Sequence, residues 1–130
     1  MKAFAKTGGA LAALMLILVT GVAASAQAAE LVAFVSASCP YCVAWEREVG
    51  RTYAKTREAR EAPLRRVDAD ARSPASPDGI EAVKFTPTFV LIDGEREVGR
   101  ISGYSGADFF WAQLDKLLAT LHSEPPANRT

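Results

Sequence analysis

Apolar positions along the chain follow two periods, and the period decides which element each segment predicts. The run Leu31–Ser36 is almost continuously apolar, which is typical of a short buried strand. In Tyr41–Arg51 the apolar residues Val43 and Val49 stand among charged ones, which predicts a helix with one buried side. A strand followed by a helix therefore opens the folded part of the chain.

The middle of the chain is more polar and carries one further strand. The charged segment 52–62 has Tyr53 as its main apolar anchor, and we expect a solvated, partly helical extension that ends at the following proline. Leu64–Asp68 predicts a second strand, shorter and more polar than the first. Ser-Pro and Asp-Gly pairs then predict a loop over residues 71–79, and Gly79–Lys84 is long enough for one or two helical turns.

The last part of the chain predicts a hairpin and a helix. Thr88–Ile92 is strongly apolar, Asp93-Gly94 is a turn signal, and Glu95–Ile101 alternates like a return strand. Ala107–Leu121 carries apolar residues at spacings of three and four, which predicts an amphipathic helix. The order of elements predicts an α/β domain, a mixed sheet of about four strands (β-α-β, then a β-hairpin and a C-terminal helix) flanked by helices.

The first residues have the pattern of a secretory signal peptide. Lys2 and Lys6 precede the almost entirely apolar stretch Gly8–Val22, and Ala26–Ala28 fits an A-x-A cleavage site. The apolar core is short for a spanning helix, which needs roughly 20 residues, so we expect cleavage rather than a retained anchor or a buried helix. The predicted organisation is a signal peptide over residues 1–28, a domain over 29–122 and a disordered tail over 123–130.

Charge excludes some classes of partner. Lys plus Arg and Asp plus Glu each number 15, so the formal net charge is zero, and the two signs are interspersed. We therefore expect no nucleic-acid partner and no attraction to an anionic membrane surface. The leader predicts an exported protein, in a compartment where thiols tend to be oxidised.

Cys39 and Cys42 are the only cysteines, and they follow the first predicted strand at the start of the first predicted helix. A helix N-terminus favours a negative charge, so the Cys39 thiol should ionise more easily than a free one. A disulfide between residues so close in sequence would close a tiny loop and stabilise the fold weakly. A structural zinc site needs about four ligands, and the single histidine, His122, lies far away in sequence. The pair therefore predicts a redox-active dithiol, with no metal.

Two short motifs resemble the signatures of the thioredoxin superfamily: Cys39-Pro40-Tyr41-Cys42 and Phe85-Thr86-Pro87-Thr88. In that family the proline before the hairpin strand is cis and faces the dithiol, and the matching residue here is Pro87. The resemblance implies a thioredoxin-like fold over essentially the whole mature chain and thiol–disulfide oxidoreductase activity without a cofactor. It implies Cys39 as nucleophile and Cys42 as resolving thiol, with substrate contacts at Pro40, Tyr41, Thr86 and Pro87.

More narrowly, Cys39–Val67 and Gly99–Leu118 resemble small periplasmic thioredoxin-like proteins of the SoxS type, which are associated with bacterial sulfur-oxidation systems. This resemblance implies a periplasmic reductase that acts on a disulfide or thiol adduct of a partner protein, with a sulfur-carrier protein as that partner. A membrane thiol electron donor would keep it reduced, and we expect a monomer.

Two departures from thioredoxin proper bear on the mechanism. Thioredoxin carries a buried Asp six residues before its first cysteine, and the matching residue here is Ala33, which leaves the proton acceptor for Cys42 open. Glu46, Glu48 or water could substitute, although a solvated helix face is the expected place for both glutamates. The pair Pro40-Tyr41 is that of glutaredoxin, but the later turns match a glutathione site only loosely.

Three functions remain open from the sequence. The first is the reductase, the second is an oxidant or isomerase that introduces or reshuffles disulfides, and the third is a non-enzymatic module that binds copper or a partner protein. The redox potential of the dithiol separates the first two, since an oxidant would lie near ~−120 mV. A copper chaperone would normally recruit a His or Met near the pair, whereas Met1 and Met15 both lie in the predicted leader.

Overall fold

The sheet of this protein is mixed, and its strands are β1 (Glu30–Val35), β2 (Leu64–Asp68), β3 (Thr88–Asp93) and β4 (Arg96–Ser102). The computed structural model describes residues 29–71 and 80–123. Within them, β1 pairs in parallel with β2 and antiparallel with β3, and β4 pairs antiparallel with β3, so the strand order is β2-β1-β3-β4. β1 and β3 therefore lie at the centre of the sheet.

The helical segments lie between β1 and β2 and after β4. The first helical stretch is α-helical at both ends and has a π-helical segment, Glu46–Gly50, in its middle. A short helix precedes β2, and the long last helix packs beside β4. The α-helices are α1 (Pro40–Trp45), α2 (Arg51–Tyr53), α3 (Glu58–Glu61) and α4 (Ala107–Ser123).

Both faces of the central strands are buried, which explains why they are continuous apolar runs in sequence. Alternate residues of β1 point to opposite faces. On one face they join the aromatic side chains of the helices, and Trp45, Phe89 and Phe110 meet there with ring centroids 4.9 to 6.1 Å apart. The residues of the second, smaller cluster are Val32, Phe34, Val67, Val90 and Ile92. The predicted fold, a four-stranded mixed sheet with flanking helices, is confirmed.

The first helix differs from the prediction in length and in orientation. It was expected over Tyr41–Arg51 but begins at Pro40 and continues to Tyr53. Its buried side carries Cys42, Trp45 and Val49, while Val43 is 53% exposed. The prediction that Val43 faces the core was wrong. The step of three residues from Cys42 to Trp45 and of four from Trp45 to Val49 places these three side chains on one face, which turns Val43 away.

Three further expectations can be compared with the described residues. Residues 80–84 form no helix, so the short helix predicted over Gly79–Lys84 is wrong in that part; Ile80 and Val83 instead pack against the smaller core cluster. Helix α4 extends to Ser123, which was expected to start the tail. His122 belongs to that helix, where its Nε2 lies 3.2 Å from Glu61.

The predicted leader, residues 1–28, and residues 124–130 of the predicted tail lie outside the described residues, as does most of the predicted loop. Over residues 29–71 and 80–123, none of the helices combines the length and the apolar character that crossing a membrane requires.

Candidate active site

The loop after β1 places the two cysteines at the start of α1. The Cys39 amide donates to the Ser36 carbonyl at 3.3 Å, which turns the chain from strand to helix. Cys39 is the N-cap residue, with extended backbone geometry, and Pro40 occupies the first helical turn, where its missing N–H costs nothing. The Cys39 sulfur takes the role that a Ser or Asp oxygen usually has at this position, as it accepts a hydrogen bond from the Cys42 amide at 3.2 Å.

The environment of Cys39 favours its thiolate. Partial burial opposes ionisation, but hydrogen bonds from the Cys42 and Thr86 side chains and from the Cys42 and Tyr41 amides outweigh it and lower the pKa of the Cys39 thiol. In its protonated form the thiol donates to the Thr86 carbonyl at 3.4 Å. The more exposed sulfur of the pair is therefore the one that ionises first.

Cys42 has the opposite character. It is 4% exposed, and its sulfur accepts a hydrogen bond from the Ser36 amide at 3.5 Å. Burial, together with the hydrogen bond and charge of the neighbouring Cys39 sulfur, raises the pKa of the Cys42 thiol. The two cysteines are free thiols, so the structure represents the dithiol state.

The second predicted motif lies beside the first. The Thr86–Pro87 peptide bond is cis. The Thr86 carbonyl is the acceptor of the Cys39 thiol, and the Pro87 carbonyl accepts from the Gly103 amide at 2.7 Å, at the end of β4. The structure thus brings Thr86 into contact with Cys39 across 47 residues of sequence.

Exposed apolar side chains surround this region. Pro40 is exposed, and Tyr41 is 64% exposed. Val43 and Phe85 are also largely exposed, Phe85 at 68%, although neither was predicted from sequence as part of the site. Position could have revealed them, since Val43 follows Cys42 and Phe85 precedes Thr86.

A hydrogen-bond network below the loop was also missed. The Ser36 hydroxyl donates to the Asp70 carboxylate at 2.5 Å and lies 2.9 Å from the Ser38 hydroxyl. Ser36 therefore links Cys42, through its amide, to the segment after β2. Ala33, the residue at thioredoxin's acidic position, is fully buried.

The site has no companion set of metal ligands. Within the two described ranges, no three His, Cys, Asp or Glu side chains lie close enough together to hold a metal ion.

Comparison with known proteins decides the family. A family model described as a thioredoxin-like domain matches residues 20–118. The chain belongs to the thioredoxin-like family. It is also similar to the crystal structure of the periplasmic thioredoxin SoxS from Paracoccus pantotrophus in its reduced form, with 39% identity and a TM-score of 0.65, covering 72% of this chain and 98% of that one. A comparison with curated proteins gives no match.

Membership in the thioredoxin-like family gives the activity class, thiol–disulfide oxidoreductase. The SoxS-like resemblance noted in the sequence is confirmed by the same structural match.

The pKa of the Cys39 thiol is lowered and that of the Cys42 thiol is raised, which predicts selective alkylation of Cys39. Only the thiolate reacts with iodoacetamide, so the modification rate should rise with pH and level off at a lower pH than for free cysteine, because the pKa of Cys39 is lowered. Mass spectrometry should locate the label on Cys39, since Cys42 is buried and the pKa of its thiol is raised. Preferential labelling of Cys42, or a pH profile equal to that of free cysteine, would contradict this assignment.

Proposed function

We propose that the protein is a periplasmic reductase, which reduces a disulfide or a thiol adduct on a partner protein. The observation that carries the proposal is the asymmetry of the pair: the partly exposed Cys39 thiol has a lowered pKa and the buried Cys42 thiol a raised one. Such a pair attacks with one sulfur and holds the other in reserve until a mixed disulfide has formed.

The proposed reaction has two steps. The Cys39 thiolate attacks a sulfur of the partner's disulfide, forming a mixed disulfide and releasing the other partner sulfur as a thiolate. Cys42 then attacks the Cys39 sulfur, closes the Cys39–Cys42 disulfide and releases the second partner thiol. The dithiol loses two electrons and the partner disulfide gains two. A thiol donor at the membrane returns the pair to the dithiol state.

The partner would bind over the exposed residues beside Cys39. Pro40 and Tyr41 are exposed at the start of α1, and Thr86, whose carbonyl accepts from the Cys39 thiol, is partly exposed. Pro87 follows Thr86 and is itself buried, so its proposed contribution is to the backbone shape beside Cys39. Large exposed aromatic groups such as Tyr41 and Phe85 bury apolar area when a partner covers them, which favours a protein substrate.

The compartment and the partner are proposed from the sequence and the relative. The N-terminal pattern over residues 1–28 is that of a cleaved signal peptide, and the similar solved protein is described as periplasmic. We infer that the mature chain, from residue 29 onward, acts in the periplasm as a monomer. A sulfur-carrier protein of a sulfur-oxidation system is the proposed substrate.

A Cys42→Ser variant tests the proposal by capture of the substrate. Without the resolving thiol, the mixed disulfide at Cys39 should accumulate, so that non-reducing gels of periplasmic extract show adducts that thiol reductant removes. The matched control is Cys39→Ser with Cys42→Ser, which should trap nothing. Cells grown on a reduced sulfur compound should yield a sulfur-carrier protein in the adduct. Recovery of no adduct under these conditions would overturn the proposal.

A further inference from the structure

The proton of Cys42 needs an acceptor, and the usual one is missing. Resolution requires the Cys42 thiolate, and burial raises the pKa of this thiol. Ala33 occupies the position at which thioredoxin proper has an aspartate, and it is fully buried. Among the hydrogen bonds of the described residues, none joins a carboxylate to Cys42 directly. The candidate acceptor is therefore a carboxylate that water could connect to this thiol.

An open cavity reaches Cys42 from the surface. Its volume is about 440 Å³, and Cys42, Val43, Glu46, Arg66 and Asp68 contribute to its walls. A cavity of this size admits water. Cys39 does not line it, so this opening beside the buried thiol is distinct from the surface at which the nucleophile itself is exposed.

Glu46 is the carboxylate best placed in this cavity. It follows Cys42 by four residues on the same helical stretch, and residues at that spacing lie one above the other. Its two carboxylate oxygens accept from Arg66 Nε and Nη2 at 3.0 and 2.9 Å, and Nη2 also donates to the Gly50 carbonyl at 3.1 Å. The guanidinium lies 5.7 Å above the centre of the Trp45 ring. Arg66 therefore fixes the position of the carboxylate.

The other acids nearby are engaged in shaping the loop. Asp68 accepts from the Asp70 amide at 2.9 Å, and Asp70 accepts from the Ser36 hydroxyl at 2.5 Å. The first contact shapes the turn after β2, and the second holds that segment against the loop that carries the dithiol. The titratable and charged groups around Cys42 are Cys39 from α1, Glu46 from the π-helical segment, Arg66 and Asp68 from β2, and Asp70 after it.

We propose that Glu46 accepts the proton of Cys42 through water in this cavity, and that Arg66 positions the carboxylate for it. The inference rests on the proposed role of Cys42 as resolving thiol. The Cys42 S–H bond breaks, its proton passes through water to Glu46, and the thiolate attacks the Cys39 sulfur. The Cys39–Cys42 bond forms as the bond between Cys39 and the partner breaks. The departing partner thiolate then takes up a proton from solvent or from Glu46.

A single-turnover reaction with dithionitrobenzoate separates the two steps. With one equivalent of this aromatic disulfide, attack by Cys39 releases one coloured thiolate and resolution by Cys42 releases the second. In Glu46→Gln the first phase should keep its rate, and the second should slow about tenfold at neutral pH. This is less than the roughly 10²–10⁴-fold typical of acid–base groups, because water competes as acceptor. The difference should shrink at higher pH, where the thiol ionises unaided.

Three controls complete the test. Glu48→Gln changes an acid on the same helical stretch that is bonded to Tyr104 instead, and should leave both phases unchanged. Glu46→Asp keeps a carboxylate and should restore part of the second rate, whereas a purely structural role would not make the rate depend on the carboxylate in this pH-dependent way. Asp68→Asn should have little effect. Thermal unfolding of each variant verifies the fold.

The possible outcomes separate a failure of the assignment to Glu46 from a failure of the proposed function. If wild type releases both equivalents and Glu46→Gln resolves at the wild-type rate, or if Asp68→Asn is the slow variant, the assignment to Glu46 fails while the proposed function stands. Equal slowing of both phases in Glu46→Gln would also overturn it, since this indicates a distorted helix. If wild type releases only one equivalent, Cys42 is not the resolving thiol and the proposed function fails first.

Discussion

Cys39→Ser is expected to abolish reduction of a protein disulfide while the fold keeps its full stability. A serine hydroxyl is not ionised near neutral pH, so no nucleophile remains at the exposed position of the pair. The helix should not suffer, because serine is among the preferred N-cap residues and its oxygen can accept the Cys42 amide in place of sulfur. Turbidimetric reduction of insulin by the purified mature chain, with thiol reductant as the electron source, measures the loss.

Cys39→Ala is the matched control for this prediction. It should be equally inactive, but it also removes the cap, which costs about 0.5–2 kcal/mol of the free energy of unfolding. Denaturant unfolding should therefore rank wild type and Cys39→Ser close together and Cys39→Ala below them. Residual insulin reduction by Cys39→Ser above the rate with reductant alone would contradict the assignment of Cys39 as nucleophile.

Phe89→Ala is expected to cause the largest loss of stability. Phe89 is fully buried at the start of β3, between Trp45 and Phe110, with ring centroids 4.9 Å from each. Removing the ring leaves a cavity between the sheet and two helical stretches, and these elements cannot move enough to fill it. The expected loss in the free energy of unfolding is about 3–5 kcal/mol. The free energy of unfolding of a small domain is only roughly 5–15 kcal/mol, so the substitution would remove a large part of it.

Phe109→Ala removes the same side chain from an exposed position. Phe109 is 49% exposed on α4, next to the buried Phe110, and its loss should change the free energy of unfolding by no more than about 0.5 kcal/mol. Urea unfolding followed by far-ultraviolet circular dichroism compares both variants with wild type. A similar shift of the midpoint in the two would show that Phe89 does not hold the core as described.

Much of the fold could be predicted because the central strands are buried on both faces. β1 and β3 are apolar at most positions, and the hairpin turn carries Gly94 with a positive φ of 64°. The local sequence pattern therefore predicts these elements. The structure of segment 80–84 cannot be predicted in this way, because its apolar residues pack against the sheet and follow no helical period of their own.

The sequence alone predicts only those contacts of the site that join residues close together along the chain. Cys39 and Cys42 lie within one turn, so their spacing alone suggests a dithiol. The Thr86 contact could be anticipated from the family resemblance alone, and the Ser36–Asp70 bond spans 34 residues with no motif to mark it. Likewise the Arg66–Glu46 pair depends on how β2 sits against the helix. Contacts of this kind follow from packing, not from local pattern.

The two outer strands of the described sheet have a consequence for behaviour at high concentration. β2 carries Arg65 and Arg66, and β4 carries Arg96 and Arg100. Each of the four lies within ion-pair distance of a carboxylate. A second copy that extended the sheet by edge-to-edge pairing would have to accommodate these charged pairs, and charged edge strands disfavour such association. We therefore expect the charged outer strands to disfavour polymerisation of the chain through its own sheet.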